Sequence, residues 1–276
     1  MTTESHTSTY ESELLAWRKS VDDSLRADDG WLTLIGLYWL HEGENTVGSA
    51  ADADVPLPAD SAPEQLGVID LRDGELRFRA AAGAPVYVDG EALTEAPLRP
   101  DTHDDGASLI SIGTLRFFVI RRGDQYGVRI RDLNHDMRRT FAGRQWFDIN
   151  PAYRLKATFT PYAEAQIVGV LNSVGMVVPM TSPGVIEFTL GGHEYQLSAL
   201  ETDDDSFWLI FKDATNGTLT YGGGRFLIAP RLEDGGVDLD FNRTYLPPCA
   251  FTPYATCPLP PRENTLPVAI HAGERL

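Results

Sequence analysis

The sequence predicts a mainly β fold: antiparallel sandwich or barrel sub-domains behind one N-terminal amphipathic helix. Three observations carry that prediction. From Trp31 onward, runs rich in β-branched and aromatic residues recur along the chain. Dipeptides that supply positive φ angles separate several of them, namely Asp73-Gly74, Asp89-Gly90, Gly191-Gly192 and Asn216-Gly217. The long alternating helices that a parallel sheet needs for its crossovers are missing.

The elements follow in order. Ser8 and Glu11 make a capping-box pattern, and Leu14, Trp17, Val21 and Leu25 then recur at spacings of three and four, an apolar stripe that Gly30 ends. Strands are expected at 32–40, 67–71, 75–80, 85–89, 108–122 and 125–131, and again at 154–161, 164–171, 183–190, 193–200, 206–212, 225–229 and 237–243. Between these two groups the stretch LNHDMRRTFAGRQWFDINP breaks the rhythm. The division expected is therefore a helix over 1–30, a β-sandwich over 31–132, a connector over 133–151 and a second β sub-domain over 152–276. FTPY occurs at Phe159–Tyr162 and again at Phe251–Tyr254, in surroundings that do not match, so no duplicated unit is inferred.

Charge bounds the function classes. Forty acidic residues face 23 basic ones, for a formal net charge of −17, and the only lysines are Lys19, Lys156 and Lys212. Such a surface repels nucleic acid. The acids are scattered rather than gathered in a tail, which reads as adaptation to a high-salt cell: in molar salt the Debye length falls to about 3 Å and a dense anionic surface repels itself little. No run of apolar residues is long enough to span a membrane, and MTTESHTSTYESE has no secretory pattern, so a cytoplasmic, non-membrane protein is expected. In that compartment a lasting disulfide between Cys249 and Cys257 is not expected. Their spacing fits no zinc pattern, and the six histidines are dispersed, so neither a metal nor a cofactor is expected.

Several motifs invite a functional reading. ENTVGSAADADVPLP, then Ser61, then YVDGEAL stand in the order of the forkhead-associated sandwich, which residues 31–132 resemble in shape. That family needs an arginine after the first glycine to hold phosphate, whereas Ser49 follows Gly48 here. No histidine follows Ser61 either, so the resemblance argues against phosphopeptide reading. YGGGRF (Tyr221–Phe226) lacks the following helix of a phosphate-cradling loop and reads as a turn or bulge, one that would let a backbone approach a ligand beside Arg225. The closing segment combines prolines with Tyr245, Phe251, Tyr254 and Leu259, the composition of an ordered strap rather than a solvated linker. Catalytic signatures such as GxSxG and HExxH are missing.

The segments WRKSVDDSL, WLTLIGLYWL, FKDATNGTLTYGGGRFL and DFNRTYLPPCAFTPYATCPLPPRENTLPVAIHAGE resemble an uncharacterised domain-of-unknown-function family of actinobacteria and haloarchaea. The resemblance brings no activity, but it marks Asp213, Thr215, Tyr221, Arg225, Asp240, Asn242, Arg243, Tyr245, Glu263 and Asn264 as candidates for a common site. The leading expectation is a binding or catalytic pocket for an anionic small molecule in the C-terminal half. Arg225 and Arg243 would hold the anion, Asp240 or Asp213 act as base, and Tyr221 and Tyr254 form walls, with Cys249 as a possible nucleophile. The alternative is a non-enzymatic protein-binding module with a purely structural C-terminal segment. The two differ in where the polar groups go: arginines paired with Asp213 or Asp240 in a packed interior favour the module.

Overall fold

In the computed structural model, which describes residues 3–203 and 205–276, the predicted helix α1 runs from Thr3 to Arg26. Since it begins at Thr3, Ser8 lies within it, and the capping-box expectation is corrected. Leu14 and Leu25 are buried and Trp17 and Val21 half-buried, so the apolar stripe does turn inward. The chain divides into two compact units, Leu25–Phe141 and Met1–Ser24 with Ala142–Leu276.

The unit Leu25–Phe141 is a sandwich. Its strands are β1 (Leu34–Trp39), β2 (Gly43–Gly48), β3 (Val55–Pro56), β4 (Gly67–Arg72), β5 (Glu75–Ala80), β6 (Tyr87–Val88), β7 (Glu95–Pro97), β8 (Ile110–Ile112), β9 (Leu115–Arg122) and β10 (Gln125–Asp132). They form two sheets, ordered β1-β10-β9-β8-β6 and β3-β2-β4-β5-β7. Pairing is antiparallel except between β2 and β3. Ile69 and Phe78 of one sheet and Phe117, Val119, Val128 and Ile130 of the other meet in one core. Alternation along each strand sends these side chains inward and their neighbours to water. Asp73 and Gly74 carry φ of 52° and 82°, the positive pair that the β4–β5 turn requires. The run 108–122 is not one strand: a turn at Gly113-Thr114 divides it into β8 and β9. A short helix, α2 (Asp136–Thr140), closes this unit.

The other unit is a nearly closed barrel. After β11 (Gln145–Trp146) come β12 (Arg154–Leu171), β13 (Val177–Leu190), β14 (His193–Asp203), β15 (Ser206–Phe211), β16 (Arg225–Pro230), β17 (Gly236–Asp240) and β18 (Glu274–Arg275). The main sheet is ordered β16-β15-β14-β13-β12-β17, and a bridge between Arg231 and Val237 brings its two edges together. Ile186, Leu197, Phe207, Leu209, Leu227, Leu239 and Phe241 fill its interior. The expected strands 154–161 and 164–171 are one strand interrupted by a bulge, where the register with β13 slips between Pro161 and Gln166. β11 and β18 pair apart from the barrel.

The closing segment is ordered along this barrel. Lys212 N–H donates to Asn264 O and Leu266 N–H to Lys212 O, while Ala214 N–H donates to Val268 O. Farther back, Ser173 N–H donates to Cys257 O and Leu259 N–H to Leu171 O, so Cys257–Leu259 lies along the edge of β12. Pro258 and Pro260 have no N–H to extend that ladder, which blunts the edge. α1 is tied to the same unit. Trp17 meets Trp146 edge-on at 5.6 Å, and Arg18 lies over the Trp146 ring and donates to Phe147 O.

Candidate functional site

Residues expected to form one pocket fall into three separate networks of the barrel and its strap, and a fourth network lies beside them. The first is centred on Arg225, the first residue of β16, whose side chain is 0% exposed. Its Nε and Nη2 donate to Asp213 Oδ2 at 3.1 and 2.5 Å, Nη2 also donates to Ile270 O, and Nη1 donates to Ala272 O at 2.7 Å. The other oxygen of Asp213 accepts from Thr215 N–H, Thr215 Oγ1 and Ile270 N–H. Burial lowers the Arg225 pKa, and Asp213 opposes that loss. Both charges are thus neutralised inside the fold, which overturns Arg225 as an anion ligand and Asp213 as a base. Tyr221 belongs to the same turn. Its carbonyl accepts from Asn216 Nδ2, and the ring is half-buried.

Gly224, the last residue of the triple-glycine turn, has no room for a ligand. Gly224 has φ +103°, and a Cβ there would stand 2.4 Å from Pro260 Cγ. The close approach that glycine permits is used by the strap itself, which corrects the expectation of a ligand at that backbone.

The second network surrounds Asp240, at the end of β17. Tyr10 of α1 donates its hydroxyl to Asp240 Oδ2 at 2.8 Å, and Asn242 N–H and Nδ2 donate to Oδ1. Arg243 Nε lies 3.6 Å from Oδ2, with its guanidinium 5.6 Å from the centre of the Trp17 ring. Asn242 Nδ2 also donates to Asn150 O, and its Oδ1 accepts Asn150 N–H. Burial, then Asp240, push the Tyr10 hydroxyl well above its usual pKa. Asp240 therefore ties α1 to β17, its Oδ1 held by Asn242 and its Oδ2 by Tyr10. Tyr10, Trp17 and Arg18 were invisible as partners because α1 lies more than 200 residues from β17 in the chain, although Tyr10 one helical turn before Leu14 was a signal of sorts.

The third network is Asn264, buried in a short 3₁₀ turn of the strap. Its Oδ1 accepts Ser198 N–H at 2.7 Å, and Nδ2 donates to Ser198 O and Ile210 O. All of its capacity clamps β14 and β15. Its neighbour Glu263 is exposed and away from these bonds.

The fourth network was not expected. Arg144 Nη1 donates to Glu274 Oε2 at 2.5 Å, Leu246 N–H donates to the same oxygen, and the guanidinium sits 4.8 Å from the Phe251 ring centre. Burial outweighs Arg144 and lifts the Glu274 pKa to about 7. Tyr245, packed edge-on against Phe226, is raised to about 12 by burial. Tyr254 is half-buried, its N–H donating to Thr252 Oγ1 at 3.3 Å. Cys249 is joined to Cys257 in a disulfide, so it is not a free thiol. That corrects both the proposed nucleophile and the expectation of separate cysteines.

Open space lies away from these networks, on the barrel beside Lys156, Glu187 and Tyr195 (about 520 Å³) and in the sandwich. In the sandwich, a groove of about 570 Å³ is lined by Val47, Ala50, Asp52, Glu64, Val68 and Ala81, among others. At neighbouring Gly48 a Cβ would fall 2.0 Å from Glu64 O. Ser49 and Ser61 spend their hydroxyls on the carbonyls of Ala62 and Pro58. Arg79, on the groove wall, is paired with Glu44. Asp52 and Glu64 are exposed. Among the described residues no cluster of His, Cys, Asp and Glu is placed to hold a metal ion, and no helix is long and apolar enough to cross a membrane.

Residues 139–275 match the family described as a protein of unknown function, DUF1684. Over this segment the chain belongs to that family. The family match thus covers the barrel strands and the strap but not α1, which supplies Tyr10 and Trp17 to the second network. An uncharacterized Haloarcula marismortui protein solved by solution NMR is 34% identical, with a TM-score of 0.43, covering 50% of this chain and 79% of that one. The second forkhead-associated domain of a Mycobacterium tuberculosis ABC transporter is 19% identical, covering 34% of this chain and 80% of that one, at a TM-score of 0.26. The FhaA forkhead-associated domain, solved with the intracellular domain of another protein, is 15% identical at a TM-score of 0.24, covering 34% of this chain and 96% of that one. No curated protein matches the chain.

Proposed function

We propose that this chain is a non-enzymatic binding module whose C-terminal segment is structural, and that the groove of the sandwich is its docking surface. The observation that carries the proposal is the complete internal pairing of Arg225, the residue around which an anion pocket would have to be built. A charge this deeply buried is tolerable only with its partners, and drawing it toward a ligand would strand Asp213. The groove offers the opposite chemistry. Its lining is apolar at Ala50, Val68 and Ala81, its cation Arg79 is engaged by Glu44, and the carboxylates of Asp52 and Glu64 stand at its rim. That lining suits an extended peptide with a basic side chain between small apolar residues, and disfavours a phosphate.

The test uses the full chain on a peptide array, with Ala50→Trp to fill the groove and Glu64→Arg to reverse its rim. Retention of Lys- or Arg-containing peptides by the native protein, lost in both variants and weakened by salt, is the expected result. In parallel, wild type and Arg243→Gln are heated with a metabolite library. A metabolite that raises the midpoint of wild type but not of the variant would restore the pocket and end the module reading.

A further inference from the structure

Beyond the bulge at 162–165, β12 pairs with β13 alone, from Gln166↔Ser182 to Leu171↔Val177. No charged residue occurs from Ala165 to Ile186 in a chain of net charge −17. Ile167 and Val177 are 69% and 62% exposed, so one face of this hairpin already meets water. The tip is held from its edge by the strap. Ser173 N–H donates to Cys257 O at 2.8 Å, Ser173 Oγ to Ala255 O at 3.2 Å, and Leu259 N–H to Leu171 O at 2.7 Å. Pro258 and Pro260 contribute no N–H to this ladder. These bonds join the strap to the tip, and the Cys249–Cys257 bridge closes the loop that presents them.

We infer that Cys249–Cys257 is a redox-operated clasp: a small thiol opens it, and the Cys257–Leu259 strand then leaves the edge of β12. The two sulfurs are not equivalent. Cys249 is half-buried and reachable, with its Sγ 3.3 Å from Ser173 Oγ, whereas Cys257 is 5% exposed and its Sγ accepts the Cys249 N–H at 3.2 Å. A thiolate attacks Cys249 Sγ, the Cys249–Cys257 bond breaks, and its electron pair passes to Cys257 Sγ, where that N–H stabilises the charge. A second thiol attacks the mixed disulfide, releases Cys249 and leaves as the oxidised reagent. Two thiols are oxidised to one disulfide, and their two protons end on Cys249 and Cys257. With the loop open, the strap must keep its hydrogen bonds against a larger loss of chain entropy. Its departure uncovers an uncharged β edge, the kind of surface on which another strand pairs.

Amide hydrogen exchange on the full chain, with and without dithiothreitol, tests this. On reduction, exchange at Ser173 and Leu259 is expected to rise about thirtyfold or more, while Leu209 and Leu227 in the barrel keep their rates. The double variant Cys249→Ser, Cys257→Ser should show the fast rates without reductant. If two thiols are released and the Ser173 and Leu259 rates stand still, the clasp is refuted. It is equally refuted if the native protein releases no thiol to dithiothreitol, since the bridge is then out of reach.

Discussion

Glu274 carries the most informative titration in the molecule. Burial raises its pKa from the usual 4.5 to about 7, against the pull of Arg144. The folded state therefore binds a proton that the unfolded chain gives up above its ordinary value. This group's stabilising contribution is complete below about pH 4.5 and is lost as pH rises through about 7, at a slope of at most about 1.4 kcal/mol per pH unit. Glu274→Gln removes that slope, so urea midpoints of wild type should fall relative to the variant between pH 5 and 7.5. Parallel curves would show that Glu274 is ionised throughout. Asp54 and Asp234, lowered chiefly by a backbone amide of Thr46 and by Lys156 respectively, act in the opposite sense and are common to both proteins. Arg225 has no such freedom: breaking a pair buried this completely costs about 3–5 kcal/mol, which is why it belongs to the fold and not to a ligand.

Among the elements, α1 is the one whose attachment rests on a few identifiable side chains. Tyr10 on Asp240, Trp17 on Trp146 and Arg18 on Phe147 O lie on one helical face, Trp17 and Arg18 two turns after Tyr10. Tyr10→Phe removes the hydroxyl donor and leaves an under-bonded carboxylate, which should cost about 1–3 kcal/mol in urea unfolding. The emission of Trp17 and Trp146 should shift as the helix loosens. Unchanged stability and emission would mean that Asp240 does not hold the helix. The strands teach a complementary lesson. β4, β5 and β10 were legible because their apolar residues alternate, and the Asp73-Gly74 and Gly191-Gly192 turns because only positive φ closes them. β2 was not legible. Its inward position Asn45 is polar, satisfied by the carbonyls of His41, Gly43 and Ile69, so the period-two signal is broken where the strand is deepest.

At the scale of the whole molecule, charge dominates. A formal −17 spread over two β units repels itself in dilute buffer, and added salt screens that repulsion. The thermal midpoint is expected to rise by roughly 5 °C or more between low and molar potassium chloride. A flat response would remove high-salt adaptation as the explanation of the composition. The same field bears on the proposed docking groove, because rim carboxylates at 52 and 64 attract a basic segment most strongly in dilute buffer.

The one-dimensional pattern determined the mainly β architecture, the N-terminal helix with its buried stripe, the tight turns and the ordering of the proline-rich strap. All of these depend on periodicity, φ preference and side-chain type within a few residues. What those polar residues do was decided only in three dimensions. Asp213 is twelve positions from Arg225, Tyr10 is 230 from Asp240, and Glu274 is 130 from Arg144. An arginine in a chain looks the same whether it awaits a ligand or already has a carboxylate. Burial and the partner's distance separate the two, and neither is a property of local sequence.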